Sequence, residues 1–219
     1  MSIATENFVK AIYKNKNNDS HNTKPGNIAK KLGISNAAAT DMAKKLAAKD
    51  LLNYQKYQEL RLTDKGRKMA LNVVRKHRLW ESFLFKIFDM SLHDIHREAE
   101  LLEHQTSDYL ADQISAYLGH PKFDPHGDPI PNADGEITTE DTSVSLANAE
   151  EGKQYLISRL MSDDKEFFDF CALHGIKYGH RIAVVKQFSK NKMTQIDSNN
   201  NIILLNQDFT NIIYVDETN

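Results

Sequence analysis

Apolar positions at Ile3, Phe8, Ala11 and Ile12 recur at helical spacing and predict an amphipathic helix over residues 3–15. Asn, Asp, Ser and Gly then crowd residues 15–26, which predicts a loop. Residues 26–33 (GNIAKKLG) predict a short helix closed by Gly33, a residue that takes a left-handed stop without a Cβ clash. Ile34-Ser35-Asn36 reads as a turn with Ser35 or Asn36 as N-cap. Residues 37–50 (AAATDMAKKLAAKD), rich in Ala and Lys, predict a strong helix. LLNYQKY and QELRLTD alternate like the strands of a hairpin. Helix, tight turn, helix and hairpin in this order make a winged helix-turn-helix.

A single long helix is predicted over 64–90. Ser91-x-x-Asp94 reads as a capping box that starts another, expected to run unbroken to about Leu118, where Gly119 and Pro121 stop it. PKFDPHGDPIP (121–131) predicts an ordered turn, and the polar run after it a linker or loosely packed segment. Lys153 to Gly175 reads as a strand and a helix, with Phe167, Phe168, Phe170 and Cys171 assigned to the core. HRIAVVKQF, KMTQID, NIILLN and NIIYVDE are short β-branched runs between polar turns, which predict a small barrel or sandwich.

Composition adds compartment and charge. The 219 residues are 40% hydrophobic and 26% charged, enough for a buried core under a charged surface. No apolar run approaches the ~18 residues of a membrane span, and MSIATENFVK lacks the order of a secretory signal. A single cysteine excludes an internal disulfide and fits a cytoplasmic protein. The net charge of −2 conceals a division: residues 1–78 carry +11 and residues 79–219 carry −13. A basic half joined to an acidic half predicts a polyanion partner for the first and a different task for the second.

Six of the nine histidines lie between positions 77 and 126. At ~100° per helical residue, His96, Glu100, Glu103 and His104 share an arc of about 100°. His77 and Glu81 stand i, i+4 on the preceding helix. Carboxylates and imidazoles converging from two helices invite a divalent cation: oxygens supply the charge, and imidazole discriminates against calcium and magnesium. E-x-x-E-H alone fits a solvated charged face equally well, and the paired His77-x3-Glu81 shifts the balance toward a metal.

RKHRLWE (75–81), EAELLEH (98–104) and GHPKFDPHGDPIP (119–131) resemble the metal-dependent regulators of the diphtheria-toxin-repressor family, manganese-transport-regulator type, and GIKYGHRIAVV (175–185) is similar to the opening strand of their last domain. The resemblance implies a mainly α fold with a β wing: a winged helix-turn-helix over 1–72, a helical metal-binding and dimerisation domain over 73–140, a linker over 141–152 and a small SH3-like β-barrel over 153–219. It implies a dimeric, non-enzymatic repressor of metal-uptake genes that binds double-stranded, palindromic operator DNA when loaded with Mn²⁺ or, alternatively, Fe²⁺.

Carried over by position, the primary metal site is Asn7, Glu100, Glu103 and His104. Asn7 stands where the family usually has aspartate or methionine, and Glu100 where iron-sensing members often carry cysteine. The second site is His77, Glu81 and His96, or Glu81, Asp124 and His126. Ligands that some members add from the last domain fall on Arg159 and Ser162, neither a convincing donor, with Asp163 one residue away. Lys10 occupies a position where another subgroup has a bridging glutamate, which argues against a closely bridged metal pair. His93, His120, His174 and His180 are left to surface and loops.

In the helix-turn-helix, Ser35, Asn36, Ala37, Ala38 and Thr40 lie nearest the bases, where alanine methyls read thymine rather than a dense hydrogen-bond code. Lys30, Lys31, Lys44, Lys45, Lys56 and Arg61 are candidate phosphate contacts. Two alternatives remain open at this point. A di-metal carboxylate oxidase needs Glu-x-x-His from two helices, which this spacing does not provide. A winged-helix regulator of a small organic ligand would make the His/Glu stripe structural.

Overall fold

The computed structural model describes residues 2–16, 23–138 and 142–218. Residues 17–22, most of the loop expected over 15–26, lie outside the described residues, as does residue 141 at the start of the expected linker. The chain packs as two units, divided after His77 and again after Ala99, Gln113, Ile130 and Ile137.

The first unit holds α1 (Ile3–Lys16), α2 (Pro25–Leu32), α3 (Asn36–Ala48) and the hairpin β1 (Leu52–Asn53) with β2 (Arg61–Leu62). Gly33 closes α2 at φ 63°, where its N–H bonds back into the helix. Ser35 caps α3 by accepting from the Ala38 N–H at 3.1 Å, leaving Asn36 as the first helical residue. Phe8, Val9 and Ile12 of α1, Ile28 of α2 and Ala39, Ala43 and Leu46 of α3 form one buried core with Leu51, Leu60 and Leu71. The small Ala39 and Ala43 let α3 approach closely, which leaves Ala37 and Ala38 exposed on the opposite face. α4 (Asp64–Phe88) starts against this core. At Gly66 a Cβ would stand 1.8 Å from the Leu51 carbonyl oxygen, so only glycine permits the approach.

The helix expected from residue 91 to about Leu118 is three pieces: α5 (Leu92–Leu102), a 3-10 turn over Glu103–Gln105, and α6 (Asp108–Leu118). Ser91 does start α5, accepting from the Asp94 N–H at 3.1 Å. The break has local causes. Thr106 is extended at ψ 120°, its hydroxyl donates to the Leu102 carbonyl at 2.7 Å, and Ser107 caps α6 by accepting from the Leu110 N–H. The ideal-helix arc therefore fails beyond Leu102, and Glu103 and His104 are aimed by the turn instead.

The second unit is built on a six-stranded antiparallel sheet of order β3-β8-β4-β5-β6-β7. Its strands are β3 (Val144–Ser145), β4 (Gln154–Leu160), β5 (Arg181–Phe188), β6 (Met193–Ser198), β7 (Asn201–Asn206) and β8 (Ile213–Glu217). Alternate residues point inward: Tyr155 and Ile157 on β4, Ile182 and Val184 on β5, Ile203 and Leu205 on β7. They pack with Phe167, Phe168 and Cys171 of α7 (Lys165–His174). Two features were not anticipated. Residues 207–212 form a short helix, α8, capped by Asn206, where a strand from Asn211 was expected. Residues 144–148, within the expected linker, form β3 and a 3-10 turn with Leu146 fully buried. Among the described residues no helix is long and apolar enough to cross a membrane.

Candidate metal centre

In the first unit α1 presents Glu6 and Lys10 to residues from α4, α5 and the 3-10 turn. Glu103 is wholly buried, and both its oxygens are engaged. Oε2 lies 2.6 Å from Lys10 Nζ and 2.6 Å from His77 Nδ1, while Oε1 accepts from Lys10 at 2.8 Å. Lys10 also donates to Glu100 Oε1 at 2.6 Å. Burial pushes the Glu100 carboxyl up, but the Lys10 ammonium beside it and then His77 reverse this and hold it at about 2. His77 turns its Nδ1 to Glu103.

His104 meets α1 on its other ring nitrogen. Its Nδ1 stands 2.7 Å from Glu6 Oε2, so Nδ1 donates to that carboxylate and Nε2 is the ring nitrogen left to face elsewhere. Nε2 is 3.2 Å from Glu103 Oε1 but makes no hydrogen bond and is buried. Asn7 Oδ1 is likewise buried without a hydrogen-bond partner. Buried acceptors left unmatched are costly, and a cation satisfies them. An amide oxygen, a carboxylate oxygen and one imidazole form a mostly hard donor set suited to Mn²⁺ or Fe²⁺. A cavity of about 470 Å³ lies alongside, lined by Glu6, Glu103, His104, Arg75 and Asp112 among others.

Of the predicted primary residues, the fold brings Glu103 and His104 together, while Glu100 goes to Lys10 and His77. Glu6 was missed. Its partner is 98 residues away, so no spacing marks it.

In the second unit, Glu81 of α4, His96 of α5 and the 124–128 turn form a cluster. His96 Nδ1 is 2.9 Å from Glu81 Oε1, and His126 Nδ1 is 3.7 Å from the same oxygen. Glu81, Asp124 and His126 each offer a ligand atom within 4.8 Å of the others, and all three are buried. Asp124 Oδ1 accepts from the N–H groups of His126 and Asp128, both at 2.9 Å, which shapes the turn. Its Oδ2 is buried without a hydrogen bond. Burial, then the Glu81 and Asp128 carboxylates, push Asp124 well above the usual carboxylate range, with Arg78 opposing. Burial lowers His126, whose Nε2 faces the Leu92 carbonyl at 3.2 Å, leaving Nδ1 toward Glu81 and Asp124. Of the positions on the last domain, Arg159 pairs with Asp128 at 3.4 Å and the Ser162 hydroxyl accepts from the Asp164 N–H. Neither is a ligand to this cluster.

The DNA-reading candidates are surface residues. Ser35, Asn36, Ala37 and Ala38 are exposed, and Thr40 is half-buried with its hydroxyl donating to the Asn36 carbonyl at 2.8 Å. The Ser35 and Thr40 hydroxyls are thus committed to the helix, which leaves Asn36 and the methyls to meet a base. Lys30, Lys31, Lys44, Lys45, Lys56 and Arg61 are exposed. Lys45 pairs with Asp41 at 2.8 Å, and Lys56 lies over the ring of Tyr57 at the hairpin tip. Tyr57, 85% exposed at φ 68°, was not singled out from sequence.

Residues 1–60 match the N-terminal DNA-binding domain of iron-dependent repressors, and residues 63–132 match their metal-binding and dimerisation domain. A solved manganese-dependent transcriptional repressor in complex with manganese is 30% identical, with 98% of this chain and 100% of that chain covered, at a TM-score of 0.91. The chain belongs to the diphtheria-toxin-repressor family. Within that family it is of manganese-regulator type, with the helix-turn-helix, dimerisation region and SH3-like last domain expected of it. The diphtheria toxin repressor of Corynebacterium efficiens is 25% identical over 169 residues, 73% of this chain and 74% of that protein. A probable metal transport system membrane protein of Chlamydia trachomatis is 41% identical over 86 residues, 39% of this chain but only 19% of that protein's length. The diphtheria-toxin-repressor family consists of transcriptional repressors, not enzymes, which removes the oxidase alternative.

Proposed function

We propose that this chain is a dimeric, Mn²⁺-dependent DNA-binding repressor of metal-uptake genes, with Fe²⁺ as the alternative metal. The observation that carries the reading is the seam between α1 and the Glu103–His104 turn. There His104 Nε2 is buried without a hydrogen bond beside the buried Glu103 carboxylate, and Asn7 Oδ1, next to Glu6 on α1, is also buried without one, in the same unit as the helix-turn-helix.

The metal ligands of the primary site are Asn7, Glu103 and His104, with Glu100 available at its edge. The second site is Glu81, Asp124 and His126, with His96 beside it. The bound cation supplies positive charge that satisfies these donors. It ties α1, and with it the reading head, to the α5–α6 turn. Two heads on a dimer then match successive major grooves of a palindromic operator about 34 Å apart. Metal loss releases the Asn7 and His104 donors and the match is lost. Large apolar side chains exposed in the second unit, Phe85, Ile87, Phe88 and Tyr117, supply a face for the second copy. The same reading places the chain in the cytoplasm, with its DNA.

The test is a mobility shift on the gene's own upstream DNA with Mn²⁺, Fe²⁺, Zn²⁺ or no metal, for the wild type and Glu103→Ala/His104→Ala. Binding that requires Mn²⁺ in the wild type and is lost in the double variant supports the reading. Equal, EDTA-insensitive binding by both proteins returns the organic-ligand alternative.

A further inference from the structure

Lys10 is a charged side chain only 6% exposed. Its Nζ lies 2.6 Å from Glu100 Oε1, 2.8 and 2.6 Å from the two oxygens of Glu103, and 3.4 Å from His77 Nδ1. His77, Glu100 and Glu103 in turn each offer one ligand atom within 4.8 Å of the others, a spacing at which three donors hold one divalent ion. The ammonium therefore stands among a donor set of the kind that holds a metal. It offers three N–H donors and one positive charge, and it pairs with the buried Glu103 carboxylate.

We propose that Lys10 is a built-in cation that fills the His77–Glu100–Glu103 pocket and thereby limits the centre to a single metal ion, bound on the His104 side of Glu103. The proposal rests on reading the Glu103–His104 turn as a metal centre. Lys10 reaches both Glu103 oxygens, but His77 adds to its hold on Oε2, while Oε1 is the oxygen that also faces His104 Nε2. A consequence concerns the switch. α1 is tethered to the turn without any metal, by Lys10 at Glu103 and by Glu6 at His104, so the step left to the metal is capture of the donors between them, Asn7 Oδ1 and His104 Nε2. Removal of the ammonium leaves two carboxylates and an imidazole, a set whose charge matches a divalent cation.

The test counts bound Mn²⁺ per full-length chain by equilibrium dialysis and follows the ions by electron paramagnetic resonance. Lys10→Met keeps the apolar stem and removes the charge; Lys10→Arg keeps the charge. Lys10→Met is expected to bind one more Mn²⁺ than the wild type, with the spectrum of a spin-coupled pair sharing Glu103. Lys10→Arg keeps the wild-type count, and adding His77→Ala to Lys10→Met abolishes the extra ion. If Lys10→Met binds the wild-type number, the built-in cation is overturned. If Glu103→Ala/His104→Ala leaves wild-type Mn²⁺ binding unchanged, the underlying metal-centre reading fails instead. A second measurement needs no variant: acetylation of the wild-type protein with mass detection should leave Lys10 unmodified with and without saturating Mn²⁺. Labelling of Lys10 that appears on adding Mn²⁺ would show displacement of the ammonium by metal and overturn the proposal.

Discussion

The buried ionisable side chains are arranged in two ways. Around Glu103 every charge has a partner: Lys10, His77 and Glu6 with His104 form a continuous network. Around Asp124 compensation is incomplete, because Arg78 approaches its Oδ2 only to 3.7 Å while Glu81 and Asp128 crowd it with like charge. Its pKa is raised in the folded chain, so the folded state holds this proton more tightly than the unfolded state does. The resulting penalty is absent at low pH, grows as pH rises from the unfolded value through the raised one, and is full above it. Asp124→Asn keeps an oxygen for the two backbone N–H groups and removes the charge. It should stabilise the metal-free protein at neutral pH by about 1–3 kcal/mol while weakening metal binding at the second cluster. Denaturant melts of the EDTA-treated proteins check this, and an unchanged or lowered midpoint would show that Asp124 is well compensated. These side-chain partnerships were the least legible part of the sequence. Glu6 looks like an ordinary polar position of an amphipathic helix, Lys10 is marked only by the resemblance, and only the fold reveals that Glu6 meets His104 and that Lys10 meets Glu100 and Glu103.

At the scale of elements, local signals were readable. Gly33, Ser35 and the Ser91–Asp94 pair end or start helices through bonds that span three or four residues, so their chemistry is visible in a short window. The break at Glu103–Gln105 was also written locally, in Thr106-Ser107-Asp108. It was obscured by an apolar pattern that continues through it on either side. The short α8 was hidden for the opposite reason, since its β-branched tail reads as a strand. The 124–128 turn depends on a contact that no local window shows. At Gly127, φ is 90° and a Cβ would stand 2.0 Å from the Ser158 carbonyl oxygen on β4. Gly127→Ala combines left-handed strain with a backbone clash and should cost about 3 kcal/mol or more. The measurement is thermal unfolding of the metal-free protein, and a loss below ~1 kcal/mol would mean the turn relaxes away from β4.

For the whole molecule, the division of charge between its halves anticipated the division of labour. On the proposed reading the basic surface of α2, α3 and the hairpin meets the phosphates, so binding should weaken with salt in proportion to the number of phosphates neutralised. Lys44→Ala/Lys45→Ala should reduce the slope of log affinity against log salt by about 0.9 for each phosphate no longer neutralised, close to 2 in total, with little change in the preference for operator over unrelated DNA. Anisotropy titrations at several salt concentrations measure it, and an unaltered slope would place the DNA elsewhere.

In the proposed switch metal and DNA favour the same state, which makes their effects on each other equal by linkage. Calorimetric Mn²⁺ titrations with and without the upstream DNA test it directly, alongside DNA affinity with and without Mn²⁺. Each ligand should tighten the other by the same factor, roughly 5–150-fold. Mn²⁺ affinity that is indifferent to DNA, in a protein that still binds that DNA, would contradict it.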